Sequence, residues 1–251
     1  MKKEWVSGTP KLIDLRGMAF PLCAGCGHPL VARLICEAVE ELGIGGRAIG
    51  VAGVGCSVNI VMMVGTDSMG TPHGRPPDAA TGIKRLLPEA VVFTAQGDGD
   101  CISIGAGSLF GAVARSEKIT VIMANNGNYG TTGGQLAPTT PMGEVTTTTP
   151  SGRTPAFGYP VHVAEVLVPW KGVAYSARGA VNSPASYQRT RGYLKTAFQK
   201  QMDNVGFSFV EILTPCPPNF HLSPLQSLSW VEEKMVAEFP LGEFKNVDSI
   251  E

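Results

Sequence analysis

The chain has 251 residues, 43% of them hydrophobic, with a formal charge of -1 and a pI near 6.4. That is ample apolar material for one large α/β domain, and the charge balance gives no general drive toward nucleic acid or an anionic membrane. No apolar run approaches the roughly 20 residues of a membrane span, and Met1-Lys2-Lys3-Glu4-Trp5 lacks the apolar core of a secretion signal, so a cytoplasmic protein is expected.

In chain order, Cys23-Ala24-Gly25-Cys26 precedes a predicted helix over 29–42, with Pro29 suited to its first turn and Gly43 to its stop. Short buried strands are predicted over 48–54 and 90–95, with a helix over 77–87 between them. A helix over 102–115 leads to an apolar strand over 119–124. The Gly/Pro/Thr-rich stretch 130–160 has too many turn formers for regular structure and too few charges for a linker, so it reads as a long functional loop that covers something. A helix over 186–202, with Leu194, Ala197, Phe198 and Met202 on one face, precedes a strand over 207–213. The alternation predicts an α/β fold, a mainly parallel sheet with helices on both faces, in one domain over 1–251 with a C-terminal extension from about 214.

Ligands of such sheets bind beyond the carboxyl ends of the strands, and two signatures directly follow predicted strands: Gly97-Asp98-Gly99-Asp100 and Asn125-Asn126. Glycines flanking Asp98 let the backbone approach a phosphate while the carboxylate stays free for a hard cation. Magnesium favours oxygen donors, which Asp98, Asn126 and the carbonyl of Asn128 can supply, and the following helix would direct its N-terminus at a diphosphate. The bland alternative, two tight turns with Asn caps, explains these residues separately but not their spacing.

Six cysteines in a reduced compartment point to metal or redox chemistry rather than disulfides. Cys23 and Cys26 have chelating spacing, Cys56 follows a predicted strand, and Cys216 lies between prolines, all placed where a thiolate can turn toward a ligand. Cys36 falls within a helix and reads as an apolar core residue, while Cys101 stays open between roles. Four thiolates suit either tetrahedral zinc or a 4Fe–4S cluster.

GDGD followed by NN resembles the thiamine diphosphate motif of the thiamine-dependent enzymes. CAGCGHP, HGRPPDAATGIK, GDGDCISIG, NNGNYGTTGGQLAPTTP and TPCPPNF resemble, in the same order, segments of β subunits of 2-oxoacid:ferredoxin oxidoreductases, over nearly the whole chain. The resemblance implies a thiamine diphosphate-binding fold and oxidative decarboxylation of a 2-oxoacid to acyl-coenzyme A and carbon dioxide, with electrons passed through a 4Fe–4S cluster to ferredoxin. It places the cluster on Cys23, Cys26, Cys56 and Cys216, and magnesium on Asp98, Asn126 and the Asn128 carbonyl. Gly97, Gly99, Asp100, Gly130, His28, His73 and Arg75 would line the cofactor, with His28 donating a hydrogen bond to the diphosphate and Thr132 beside it at the reacting end. A chain of this length has little room for the pyrimidine-binding domain and its activating Glu, so the resemblance also implies an α subunit that carries them, with a ferredoxin-like γ or δ subunit. TTTTPSGRTP and VEEKMVAEFPLGEFK are closest to the 2-oxoisovalerate and 2-oxoglutarate types. The chain departs from the family pattern at Pro76-Pro77-Asp78-Ala79 and at Phe220, where Trp is common.

Two other classes fit part of the sequence. A non-redox thiamine decarboxylase or synthase needs no placed cysteines, and a zinc-stabilised binding subunit leaves Asp98 and Asn126 without a task. His73-Gly74-Arg75 also suits a surface turn, and Thr132 with Gln135 a self-satisfied loop. His162 and His221 are expected to face solvent; Trp5, Trp170 and Trp230 are expected to pack.

Overall fold

Runs of buried residues at the predicted strand positions become the centre of a sheet, because a strand covered on both faces must be apolar on both. The computed structural model describes residues 8–14 and 22–250, so Trp5 and the first residues lie outside the described part. In chain order the elements are α1 (His28–Glu41), β1 (Ala48–Ala52), α2 (Val58–Met62), β2 (Asp67–Gly70), α3 (Pro76–Leu86), β3 (Val91–Gly97), a π-helical turn (Gly99–Ile104) and α4 (Ala106–Ala114). There follow β4 (Thr120–Asn125), β5 (Asn128–Tyr129), β6 (Gln135–Leu136), a 3-10 turn (Pro155–Phe157), α5 (Val163–Val166), β7 (Val173–Ala180), α6 (Pro184–Met202) and β8 (Phe207–Leu213). The chain ends with α7 (Pro217–Phe220), α8 (Pro224–Trp230), a second π-helical turn (Val231–Met235), α9 (Val236–Glu238) and β9 (Gly242–Asn246).

The main sheet runs β2-β1-β3-β4-β8-β7-β9, every neighbouring pair parallel except β7 with β9. Alternation along β4 shows how it is covered: Ile122 and Ala124 join α1 and α6 on one face, while Val121 and Met123 meet α3, α4 and α5 on the other. Ser183 caps α6 by accepting from the Ser186 amide, with Pro184 at the first helical position. Leu194, Ala197 and Phe198 are buried as expected; Met202, at the last turn, is only partly so.

Several elements differ from the sequence expectation. The helix expected from 102 is divided: a π-wound turn begins at Gly99 and α4 begins at Ala106. Between them lies Gly105, where a Cβ would stand 2.3 Å from the Asp100 carbonyl, too close for any side chain. The unpredicted β7 is buried along its full length despite containing Arg178. That guanidinium donates to Glu211 (2.8 Å), Glu165 (2.8 Å) and the Pro240 carbonyl (3.0 Å), and lies over the rings of Phe239 and Phe244. His162, expected in solvent, is partly buried, pairs with Glu238 at 3.0 Å and packs on Phe239. Trp230 and Trp170 do pack, against Phe220 and Phe110. Among the described residues no helix is long and apolar enough to cross a membrane.

Removing one partner of a fully buried ion pair leaves a bare charge in a low-dielectric core. Arg178→Leu is therefore expected to lower unfolding stability by about 3–5 kcal/mol in urea titrations. Adding Glu211→Gln, which removes the stranded charge yet keeps an acceptor for Asn125, should recover part of that loss.

Candidate functional site

β1, β3, β4 and β8 all end on one edge of the sheet, and the loops that follow them make the site. β2 lies to one side of β1 and β3 to the other, so the chain reverses direction between β1 and β3, where open α/β sheets leave a crevice. A pocket there is lined by Cys56 and Ser57 after β1, by Gly97–Asp100 after β3, and by Asn126 and Asn128 after β4, with His28, His73, Gly130 and Thr132 around them.

Asp98 is 2% exposed. Its carboxylate accepts from the Thr139 hydroxyl at 2.5 Å, and burial pushes its pKa up to about 7, against the downward pull of Thr139 and the Gly99 amide. Beneath it the polar chain continues: Thr139 Oγ1 is 2.9 Å from Asn125 Oδ1, and Asn125 Nδ2 donates to Glu211 at 2.7 Å. Thr139 belongs to the 130–160 loop, so what that loop covers is the Asp98 carboxylate. Arg153 holds the loop in place, donating to the carbonyls of Ala137, Pro138, Thr140 and Gly158.

Asn126 and Asn128 form a reciprocal turn in which the Asn128 amide donates to Asn126 Oδ1 (3.3 Å) and Asn128 Nδ2 to the Asn126 carbonyl (2.9 Å). Gly99 has to be glycine, since a Cβ there would overlap the Tyr129 ring at 2.1 Å. Asp100 lines the pocket but spends both oxygens inside the protein, accepting from Gly74 N (2.7 Å) and Gln96 Nε2 (2.8 Å) and touching His73 Nδ1. It braces the pocket wall.

His28 is buried at the start of α1, its Nδ1 3.2 Å from Cys26 Sγ, and burial lowers its pKa to about 4. The ring is neutral at physiological pH. Thr132 faces the pocket, although its hydroxyl donates to Gln135 at 2.6 Å and Gln135 donates back to the Thr132 carbonyl. Arg75 departs from its expected place: it is not a lining residue, donates to Ser108 Oγ at 2.8 Å and pairs with Asp78, because it caps α3 with its guanidinium half in solvent.

Of the four cysteines, Cys56 alone lines the pocket, with Thr131 Oγ1 at 3.0 Å from its sulfur. Cys216, Cys56 and Cys23 are near enough to add charge repulsion to Cys26, whose thiol burial pushes up to about 12. Burial likewise raises Cys216 to about 11, opposed by hydrogen bonds from Asn219. Among the described residues, no three His, Cys, Asp or Glu side chains close on one point as a single metal ion demands. Cys36 and Cys101 are buried in the core.

For a diphosphate and its cation the fit is direct. The pocket offers a buried carboxylate, amide oxygens and glycine backbone, and Ser57 Oγ is buried there with no hydrogen-bond partner among the described residues. Ser57, Thr139 and Asn219 escape sequence reasoning, because small polar residues carry no local signal and the contacts of Thr139 with Asp98 and of Asn219 with Asn128 span 41 and 91 residues.

Residues 54–212 match the family described as thiamine pyrophosphate enzyme, C-terminal TPP binding domain. The 2-oxoglutarate synthase subunit KorB of Methanothermobacter marburgensis is 36% identical over 92% of this chain and 80% of its own length. The β subunit of 2-oxoacid:ferredoxin oxidoreductase from Saccharolobus solfataricus is 33% identical over 78% of this chain and 61% of its own. The chain belongs to this β-subunit family of thiamine pyrophosphate enzymes. The ketoisovalerate oxidoreductase subunit VorA of Methanothermobacter thermautotrophicus is 42% identical over 89% of this chain, which spans only 47% of that longer relative. The fold matches that of 2-oxoglutarate:ferredoxin oxidoreductase from Magnetococcus marinus, with a TM-score of 0.77 at 24% identity, covering 98% of this chain and 88% of that one.

The raised Asp98 pKa has a measurable sign. Its folded value, about 7, lies above the ordinary 3.8, so the metal-free fold loses stability as pH rises between the two. Asp98→Asn is expected to raise the melting temperature of the metal-free chain at pH 8 by about 2–4 °C and to leave it unchanged at pH 4. Differential scanning calorimetry in chelator reads both.

Proposed function

We propose that the chain is the thiamine diphosphate-binding subunit of a 2-oxoacid:ferredoxin oxidoreductase, converting a 2-oxoacid and coenzyme A to acyl-coenzyme A and carbon dioxide and passing electrons through a 4Fe–4S cluster to ferredoxin. The observation that carries it is the meeting of both signatures at one edge of the sheet: Cys56 lines the same pocket as Asp98, Asn126 and His28, and His28 touches Cys26. Residues 1–251 act as one domain with a C-terminal extension from about 214.

Asp98, Asn126 and the Asn128 carbonyl hold magnesium, while the backbone of Gly97 and Gly99 lets the diphosphate approach. Thiamine diphosphate supplies the nucleophilic carbon and the electron sink that 2-oxoacid decarboxylation requires. With the cation in place the Asp98 carboxyl gives up its proton, so cofactor affinity rises with pH up to about 7. Cys23, Cys26, Cys56 and Cys216 hold the cluster. A thiolate at Cys26 only accepts, so His28 donates to it from Nδ1 and keeps a lone pair at Nε2. His28 therefore receives a hydrogen bond or a proton in the pocket, instead of donating to the diphosphate. Thr132, closed on Gln135, shapes the reacting end.

The activating Glu comes from an α subunit that carries the pyrimidine-binding domain, so the active site lies between subunits, with a ferredoxin-like γ or δ subunit continuing the electron path. The complex works in the cytoplasm, and its 2-oxoacid is of the 2-oxoisovalerate or 2-oxoglutarate class, in keeping with the names of the KorB and VorA relatives.

Anaerobic purification with the α subunit, followed by iron, sulfide and zinc analysis and electron paramagnetic resonance after adding 2-oxoacid, tests the reading. Iron and acid-labile sulfide with a substrate-dependent signal are expected; stoichiometric zinc without iron refutes it. Cys216→Ser should damage the cluster and spare thiamine diphosphate binding, and Asp98→Ala should do the reverse.

A further inference from the structure

Cys216 is followed by a single helical turn, α7, whose two leading prolines fix its start and whose Phe220 stacks on Trp230 at 3.9 Å. That anchoring aims Asn219 back toward the cation loop. Its Nδ2 lies 3.3 Å from Cys216 Sγ, 2.9 Å from Asn128 Oδ1 and 3.3 Å from the Gly130 carbonyl. A carbonyl only accepts, so the amide must turn its NH₂ toward this cluster of acceptors. Asn128 is fixed in the same way: its Nδ2 donates to the Asn126 carbonyl, which leaves Oδ1 facing Asn219. The opposite loop is cut to receive the side chain. Gly134 has φ +79°, and a Cβ there would come 3.0 Å from Asn219 Cγ and Oδ1.

A directed path therefore runs from Cys216 Sγ through one amide to Asn128 and on to Asn126. Resting on the function proposed above, we infer that Asn219 is a positioning residue that joins the two cofactor sites, donating to a cluster sulfur while holding the Asn126–Asn128 turn in its cation-binding shape. An N–H donor beside a cluster sulfur stabilises the more negative, reduced state, so it raises the reduction potential. The same amide braces the turn that presents the Asn126 and Asn128 oxygens, so it tightens binding of magnesium with thiamine diphosphate. Neither effect requires Asn219 to touch a substrate.

The test uses the anaerobic complex of wild type, N219S, which removes the bridge, and N219D, which keeps the shape but replaces donor by acceptor. The midpoint potential of the cluster is read by redox titration followed by electron paramagnetic resonance. Affinity for thiamine diphosphate with magnesium chloride is read by calorimetry on cofactor-stripped complex. Both variants are expected to shift the oxidised-to-reduced ratio at a fixed potential about tenfold toward oxidised, a fall of about 59 mV for one electron, and to weaken cofactor binding about tenfold. A structural role alone would reduce iron content without moving the two readouts together. Movement of only one readout, or of neither, overturns the inference. Cofactor affinity is measured in any variant that loses iron, and unchanged affinity there overturns it too. A wild-type complex without iron and sulfide overturns instead the functional reading on which this rests.

Discussion

Parallel hydrogen bonding sets β1, β3, β4 and β8 side by side with their carboxyl ends along one edge. In an antiparallel sheet, neighbouring strands would finish at opposite edges, and the turn after Gly97 would face away from the turn after Asn125. Instead Gly97 pairs with Ala124 and Asn125 with Leu213, so three loops leave the sheet within a residue or two of the same level. Acidic turn, Asn pair and Cys216 are neighbours because of that register. The helical crossovers that parallel pairing demands also bury both faces and keep water from the strands beneath the pocket.

Under the pocket floor the interior is unusually polar. From Asp98 a line of side chains passes through Thr139, Asn125 and Glu211 to Arg178, and Glu165 on the far side is only partly buried. Glu211 accepts from both Asn125 and Arg178, whereas the single Thr139 proton faces two acceptors, Asp98 Oδ2 and Asn125 Oδ1, the latter also accepting from the Gly127 amide. The upper end of the line is the most costly, because the buried Asp98 carboxyl is met by the Thr139 hydroxyl and the Gly99 amide and burial still raises its pKa to about 7. A buried carboxyl with a raised pKa costs the fold stability at neutral pH, and such places are where local rules fail.

Much of this was legible in the sequence. β8 matches its expected bounds to the residue and β3, β4 and α6 to within a few, since apolar runs and helical spacing report burial directly. Gly97, Asp98, Gly99, Asp100, Asn126 and Asn128 line one pocket, and glycines and carboxamides at strand ends carry a local signal in the sequence. β7 carries no such signal: Ser176, Arg178 and Gly179 break its apolar run, and Arg178 is buried only because Glu211 and Glu165, 33 and 13 residues away, neutralise it. β2 is exposed at all four residues and has no apolar pattern to read. Thr139 and Asn219 look like ordinary loop residues, and their partners, 41 and 91 residues distant, emerge only when the chain is folded. Arg75, two residues from the pocket-lining His73, is turned to Ser108 at the start of α3.

β9 has a consequence for how the molecule behaves in a crowded solution. It lies antiparallel along β7, fastened by Tyr175 donating to Glu243 and by Phe244 under Arg178. Without it, β7 would present eight residues of unpaired backbone beside an apolar surface, a template on which another chain's strand can grow. The strand that replaces it at the boundary is five residues long, carries Glu243 and Lys245, and is half in solvent. At the other boundary β2 is four residues long and wholly exposed. A sheet that needs parallel order in the middle for its chemistry thus ends on both sides in strands too short and too wet to recruit a neighbour.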